Sequence, residues 1–79
     1  MFLSIQDYII NSDNIINISY GGFGASHIGL EPIVIRYEIY ILLKANHNGT
    51  VEINLKYSLD DKDKYNKDVK YLMEKLCYN

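Results

Sequence analysis

The stretch Ile33–Lys44, IVIRYEIYILLK, decides how the chain folds. Its odd positions, Ile33, Ile35, Tyr37, Ile39, Ile41 and Leu43, are apolar without a break. Its even positions, Val34, Arg36, Glu38, Tyr40, Leu42 and Lys44, mix charge with apolar surface. A period of two over twelve residues, rich in β-branched and aromatic side chains, predicts a long strand with one buried face. The even face is neither plain solvent nor plain core, and that mixture is the first functional clue.

Working outward, the flanking segments show the same period more weakly. Phe2 to Ile10 reads as a first strand, with Leu3, Ile5 and Ile9 on one face and Phe2, Ser4, Gln6 and Tyr8 on the other. Asn11 to Asn14 is a turn, because Asn and Asp accept left-handed dihedrals and bond their own backbone. A second strand from Ile15 to about Tyr20 is expected to close a hairpin with the first. Residues Gly21 to Pro32 hold four of the five glycines and the one proline, which predicts a loop. Downstream of the long strand, Asn48-Gly49 signals a hairpin, and Thr50 to Tyr57 alternates with Val51, Ile53, Leu55 and Tyr57 inside.

The period then changes. Ser58-Leu-Asp-Asp61 resembles a capping box, and Tyr65, Val69, Leu72, Met73 and Leu76 fall on one arc at 3.6 residues per turn. Pairs Asp60–Lys64 and Asp63–Lys67 have the spacing and order that stabilise a helix surface. A helix from about Asp60 to Cys77 follows. The expected fold is α+β: one four-stranded, mainly antiparallel sheet (ββ, loop, ββ) with a C-terminal helix across its odd face, in a single domain over residues 1–79.

Composition narrows the function classes. At 79 residues a chain buries only about 60% of the surface its unfolded form exposes, which leaves little room for a deep catalytic cleft. The net charge is −2, and the five acids and five lysines between Asp60 and Lys75 cancel. No basic face emerges, so nucleic-acid backbone binding lacks its driving force. One cysteine, Cys77, excludes an internal disulfide and fits a reducing cytoplasm. The opening MFLSIQDYII is neither a signal peptide nor a membrane span.

Candidate sites are few. A phosphate cradle at Gly22-Phe-Gly24 lacks the third glycine and the helix that such loops need. His27, His47 and Cys77 show none of the paired short spacings of a metal site, and no base or orienting acid accompanies them. The expectation is therefore no catalysis, no cofactor and no metal. Aromatic residues point elsewhere. Tyr71 and Tyr78 lie seven apart on the outward side of the helix, and Phe23 and His27 on the loop can meet a partner. Tyr8, Tyr40 and Leu42, with Phe2, Ile15 and Val34, are expected on the sheet face that a single helix cannot cover. Two occupants of that face stay open: a second copy, with Arg36 of one chain meeting Glu38 of the other, or a foreign protein leaving the free chain monomeric.

The segment DYIINSDNIINI, residues 7 to 18, together with the charged C-terminal helix, resembles short β-rich proteins of bacteria and their phages. Some of these are similar to pleckstrin-homology-like modules, and others are mobile-element proteins such as anti-CRISPR inhibitors. The resemblance implies a non-catalytic, cytoplasmic protein-binding module, and transfers no functional residue. The alternative is a small regulatory or nucleic-acid-associated protein.

Overall fold

The computed structural model describes residues 1–25 and 33–77, without the side chains of Ala25 and Cys77. His27 and Tyr78 therefore lie outside the described residues. Five strands, β1 (Phe2–Ile5), β2 (Tyr8–Asn11), β3 (Ile15–Ala25), β4 (Ile33–Lys44) and β5 (Thr50–Ser58), precede one helix, α1 (Lys62–Cys77). The α+β class and the C-terminal helix packed on a sheet are as expected. The single four-stranded sheet is not: β1 and β2 form a two-stranded sheet, and β3, β4 and β5 form a three-stranded antiparallel one with β4 in the centre.

The division begins at Gln6-Asp7. Ile5 pairs with Tyr8, so two residues turn the chain, and Gln6 takes a positive φ of 50°. That arrangement matches a two-residue hairpin turn, which normally favours glycine at its first position. The turn also reverses the alternation. Leu3, Ile5 and Ile10 are buried, whereas Ile9 is 77% exposed, because stepping across two turn residues moves the inward set from odd to even positions. Asn11 Oδ1 accepts from Asp13 N at 3.0 Å and starts a short 3-10 turn over Ser12–Asn14. Ser12 N donates to Met1 O at 2.8 Å and fastens the hairpin's open end. β2 thus finds its partner in β1, and β3 is left to pair with β4.

β3 runs on through Gly21–Gly24, where composition suggested a loop. Its pairing with β4 extends from Ile15↔Leu43 to Ala25↔Ile33, with irregularities between Ile15 and Asn17 and between Phe23 and Gly24. At the second of these the backbones close up, and a Cβ on Gly24 would sit 1.9 Å from the Ile33 carbonyl oxygen. Only glycine fits there. β5 ends opposite Arg36 while β3 and β4 continue, so the sheet narrows to a two-stranded ribbon. The molecule measures 44 × 28 × 22 Å, and its radius of gyration of 14.5 Å exceeds the roughly 12 Å of a compact chain this long.

The core lies between the odd face of β4 and β5, the β1–β2 hairpin and α1. Ile39, Ile41, Leu55, Tyr57, Tyr65 and Leu72 are buried there with Leu3, Ile5 and Ile10. Ile33 and Ile35, on the ribbon, are about half exposed, so the apolar row of β4 is longer than the core it feeds. α1 begins two residues later than expected, after a 3-10 turn at Leu59–Asp61. Ser58 Oγ bonds Asp61 Oδ2 at 3.3 Å instead of capping a backbone N–H, and the helix ion pair is Lys70–Glu74 rather than Asp60–Lys64 or Asp63–Lys67.

Tyrosines join the helix to the sheet. The Tyr65 ring stacks on Tyr37 at 4.7 Å and meets Tyr57 edge-on at 5.6 Å. Tyr57 OH donates to Asp68 Oδ2 at 2.6 Å. Burial, and then this bond to the Asp68 carboxylate, pushes the Tyr57 phenol well above its ordinary value, and burial raises Tyr65 in the same direction. A phenol whose folded value is raised stabilises the fold below its unfolded value of about 10 and withdraws that contribution as pH rises. The melting temperature is therefore expected to fall as pH climbs above about 10. Thermal scans of Tyr57→Phe should show a shallower alkaline decline, and an unchanged slope would remove Tyr57 as its source.

Candidate functional site

Among the described residues, no element covers the even face of β3–β4–β5. Opposite pairs place Asn17, Ser19, Gly21 and Phe23 of β3 beside Leu42, Tyr40, Glu38 and Arg36 of β4. Glu52, Asn54, Lys56 and Ser58 of β5 lie on the other side of the same β4 residues. A charged strand residue on such a face normally points to water. Glu38 instead is 3% exposed.

Its neighbours on that face enclose it. Glu38 Oε1 accepts from Asn54 Nδ2 at 3.0 Å and from Tyr40 OH at 3.4 Å. Glu38 Oε2 lies 3.5 Å from Arg36 Nε. The Arg36 guanidinium carbon sits 4.2 Å above the centre of the Phe23 ring. Arg36 Nε and Glu38 Oε2 are both buried and face each other at ion-pair rather than hydrogen-bond geometry, with Asn54 Oδ1 buried beside them and unpaired. Buried polar atoms short of a partner are uncommon in native proteins and concentrate where a structure serves a purpose besides stability. Gly21, directly across from Glu38, has open space where a side chain would stand. A shallow depression of about 200 Å³ opens over it, lined by Ser19, Gly21, Phe23, Glu38 and Tyr40 among others. A second depression, of about 210 Å³, shares Ser19 and Tyr40 and continues towards Leu42 and Glu52.

Of the residues expected to meet a partner, Phe23, Tyr40 and Leu42 come together on this face. Phe23 does so from a strand, not from a loop. Tyr8 does not join them. It belongs to the β1–β2 hairpin, which is a separate sheet, and Phe2 goes with it. Ile15 is half-buried against the core. Val34, paired with Gly24 beyond the irregularity in β4, lies on the odd face beside Gly22 and Tyr37. Tyr71, expected on the outward side of the helix, is half-buried, and its OH accepts from Ser4 N at 3.1 Å. It ties α1 to β1, so its part is structural. The expected pairing of Arg36 with Glu38 of another copy is overturned as well, because Glu38 is enclosed and paired within its own chain.

The sequence reading missed Asn54 and the enclosure of Glu38 within its own chain. The usable signal was Arg-x-Glu-x-Tyr on one face of a strand long enough to need neighbours on both edges. Among the described residues, no group of three or more His, Cys, Asp or Glu side chains converges, and no helix is long and apolar enough to cross a membrane.

Removing the Glu38 carboxylate strands two donors, Asn54 Nδ2 and Tyr40 OH, and takes away the ion-pair partner of Arg36. Glu38→Ala is expected to cost roughly 1–3 kcal/mol in denaturant unfolding, and Glu38→Gln clearly less, since the amide oxygen still accepts. Equal losses for the two would mean that the hydrogen bonds to Glu38 do not stabilise the fold.

Neither a protein-family model, nor a curated protein, nor a solved structure matches the chain.

Proposed function

We propose that the protein is a non-catalytic protein-binding module that works through the open face of β3–β4–β5 and its ribbon extension. The observation that carries this reading is the exposure of large apolar side chains on a paired, ordered ribbon. Phe23, Ile33, Val34 and Ile35 are each 40–55% exposed, on strands with little else to cover them. Water-exposed apolar surface arranged on a rigid element, next to an arginine and aromatic rings, has the composition of a protein interface. The depressions on the face are shallow and open, and a partner's surface residues fit them better than a substrate that must be shielded from water.

A mobile-element inhibitor of a host protein complex, acting in the cytoplasm, is the narrower form of this proposal and rests on the resemblance of residues 7 to 18 alone. A second copy is the simplest partner. A small regulatory or nucleic-acid-associated protein is the reading to be excluded, and retention on heparin at physiological salt would favour it.

Phe23→Ser with Ile33→Ser removes apolar surface of this face without touching the core. Affinity capture from cells of the native source is expected to recover a protein with the wild type and to lose it with this double variant. If the capture proves to be a second copy, sedimentation at tens of micromolar should show a dimer that the variant dissolves. Recovery of the same protein by both chains would overturn the assignment of this face.

A further inference from the structure

Arg36 is the one arginine of the chain, and it is held in an unusual way. Its Nε is buried against Glu38, its guanidinium plane is stacked on Phe23, and its side chain as a whole remains 35% exposed. The exposed part is the outer end of the fork, whose terminal nitrogens have no ion pair or hydrogen bond among the described residues. A carboxylate behind, a ring beneath and free donors in front are what a preorganised arginine requires. Side-chain entropy is already lost before a ligand arrives, so less is lost for each bond that then forms.

We propose that Arg36 receives a carboxylate from an acidic segment of a protein partner, with Phe23 and Ile33, which the register places on the same face, taking an apolar neighbour of that carboxylate. The inference rests on the reading of this face as an interface and adds the chemistry of what docks there. The charge on the face is local. Lys56 stands directly across from Glu38 and diagonal to Arg36, is exposed, and has no ion pair among the described residues. Glu38 balances Arg36, and Asp61, bonded to Ser58 directly across from Arg36, stands at the edge of the face. The free donors of the fork, rather than a broad positive field, therefore select the carboxylate. One fork and one lysine match one or two carboxylates. They do not match a nucleic-acid backbone, whose binding draws on many phosphate contacts and a broad positive field.

A single arginine gives a single Nε–H resonance, so the site reports on itself. Titration of the intact ¹⁵N-labelled protein with an acetylated, amidated Glu-Leu-Glu peptide should move that resonance saturably, together with the Phe23 and Gly21 amides. A Kd on the order of 1 mM is expected for so short a probe. Arg36→Lys, read at the same amides, should weaken binding by about tenfold, because an ammonium cannot make the two parallel bonds of the fork. Glu38→Gln should weaken it less, and Lys70→Ala, a charge change on the helix, should leave it unchanged. An Nε–H unmoved at tens of millimolar peptide would overturn the proposal and reduce the Arg36–Glu38 pair to a structural role. So would an equal response to a Lys-Leu-Lys peptide, or saturation by a single-stranded oligonucleotide at lower concentration. Loss of a captured partner in the Phe23→Ser, Ile33→Ser variant alongside a silent titration would leave the interface standing and refute only its acidic chemistry.

Discussion

β4 is paired along both edges and buried on part of both faces, and every other element takes its place from that constraint. Ile39 and Ile41 are fully buried on one face, and Glu38, which precedes them, is buried on the other. A slip of one residue would put Glu38 into the apolar core and Ile39 into the polar cluster. Each of those exchanges costs several kcal/mol, so the register is fixed from two sides at once. With β4 fixed, the position of Arg36 over Phe23 follows from cross-strand pairing alone.

Tyrosine lets so small a core hold a helix. With no tryptophan and only two phenylalanines, the chain gives the seam between α1 and the sheet to Tyr37, Tyr57, Tyr65 and Tyr71. Each ring buries apolar area, and its hydroxyl can then satisfy a polar group at the edge of the core. Tyr57 reaches Asp68, and Tyr71 accepts from the backbone of β1. The helix is thereby tied to both sheets, although the two sheets are not hydrogen-bonded to one another. Leaving the even face uncovered is the counterpart of this economy, since one helix and one hairpin suffice for one face only.

What was legible in the sequence is what period and composition report directly. β4 from Arg36 onward, Ile53, Leu55 and Tyr57 of β5 and the apolar arc of α1 stand where alternation and helical spacing put them, whereas Val51, expected inside, is about half exposed. The hairpin at Gln6-Asp7 was not legible, because no glycine, asparagine or proline marks its first position and the apolar run continues across it. Gly21–Gly24 misled in the opposite direction: glycine disfavours an isolated strand, but here β4 supplies the pairing and Gly24 is required by the close approach to Ile33. Glu38 was expected to meet Arg36 of a second copy, because charge on a strand usually points outward. Its burial depends on Asn54, sixteen residues away, which no local pattern links to it. Phe23, Tyr40 and Leu42 were recognised as an aromatic and apolar surface, but the polar group they surround was not.

The account stands on β3 being a strand as far as Ala25, since this places Phe23 under Arg36 and opens the face at Gly21. Backbone amide exchange along β3 tests it most directly. Alternate amides from Tyr20 to Gly24, those directed at β4, are expected to be protected well beyond free-chain rates, in step with their partners in β4. Exchange of those from Gly21 to Gly24 at free-chain rates, with protection confined to Tyr20 and earlier residues, would show that the glycine segment is not paired and would contradict the site built upon it.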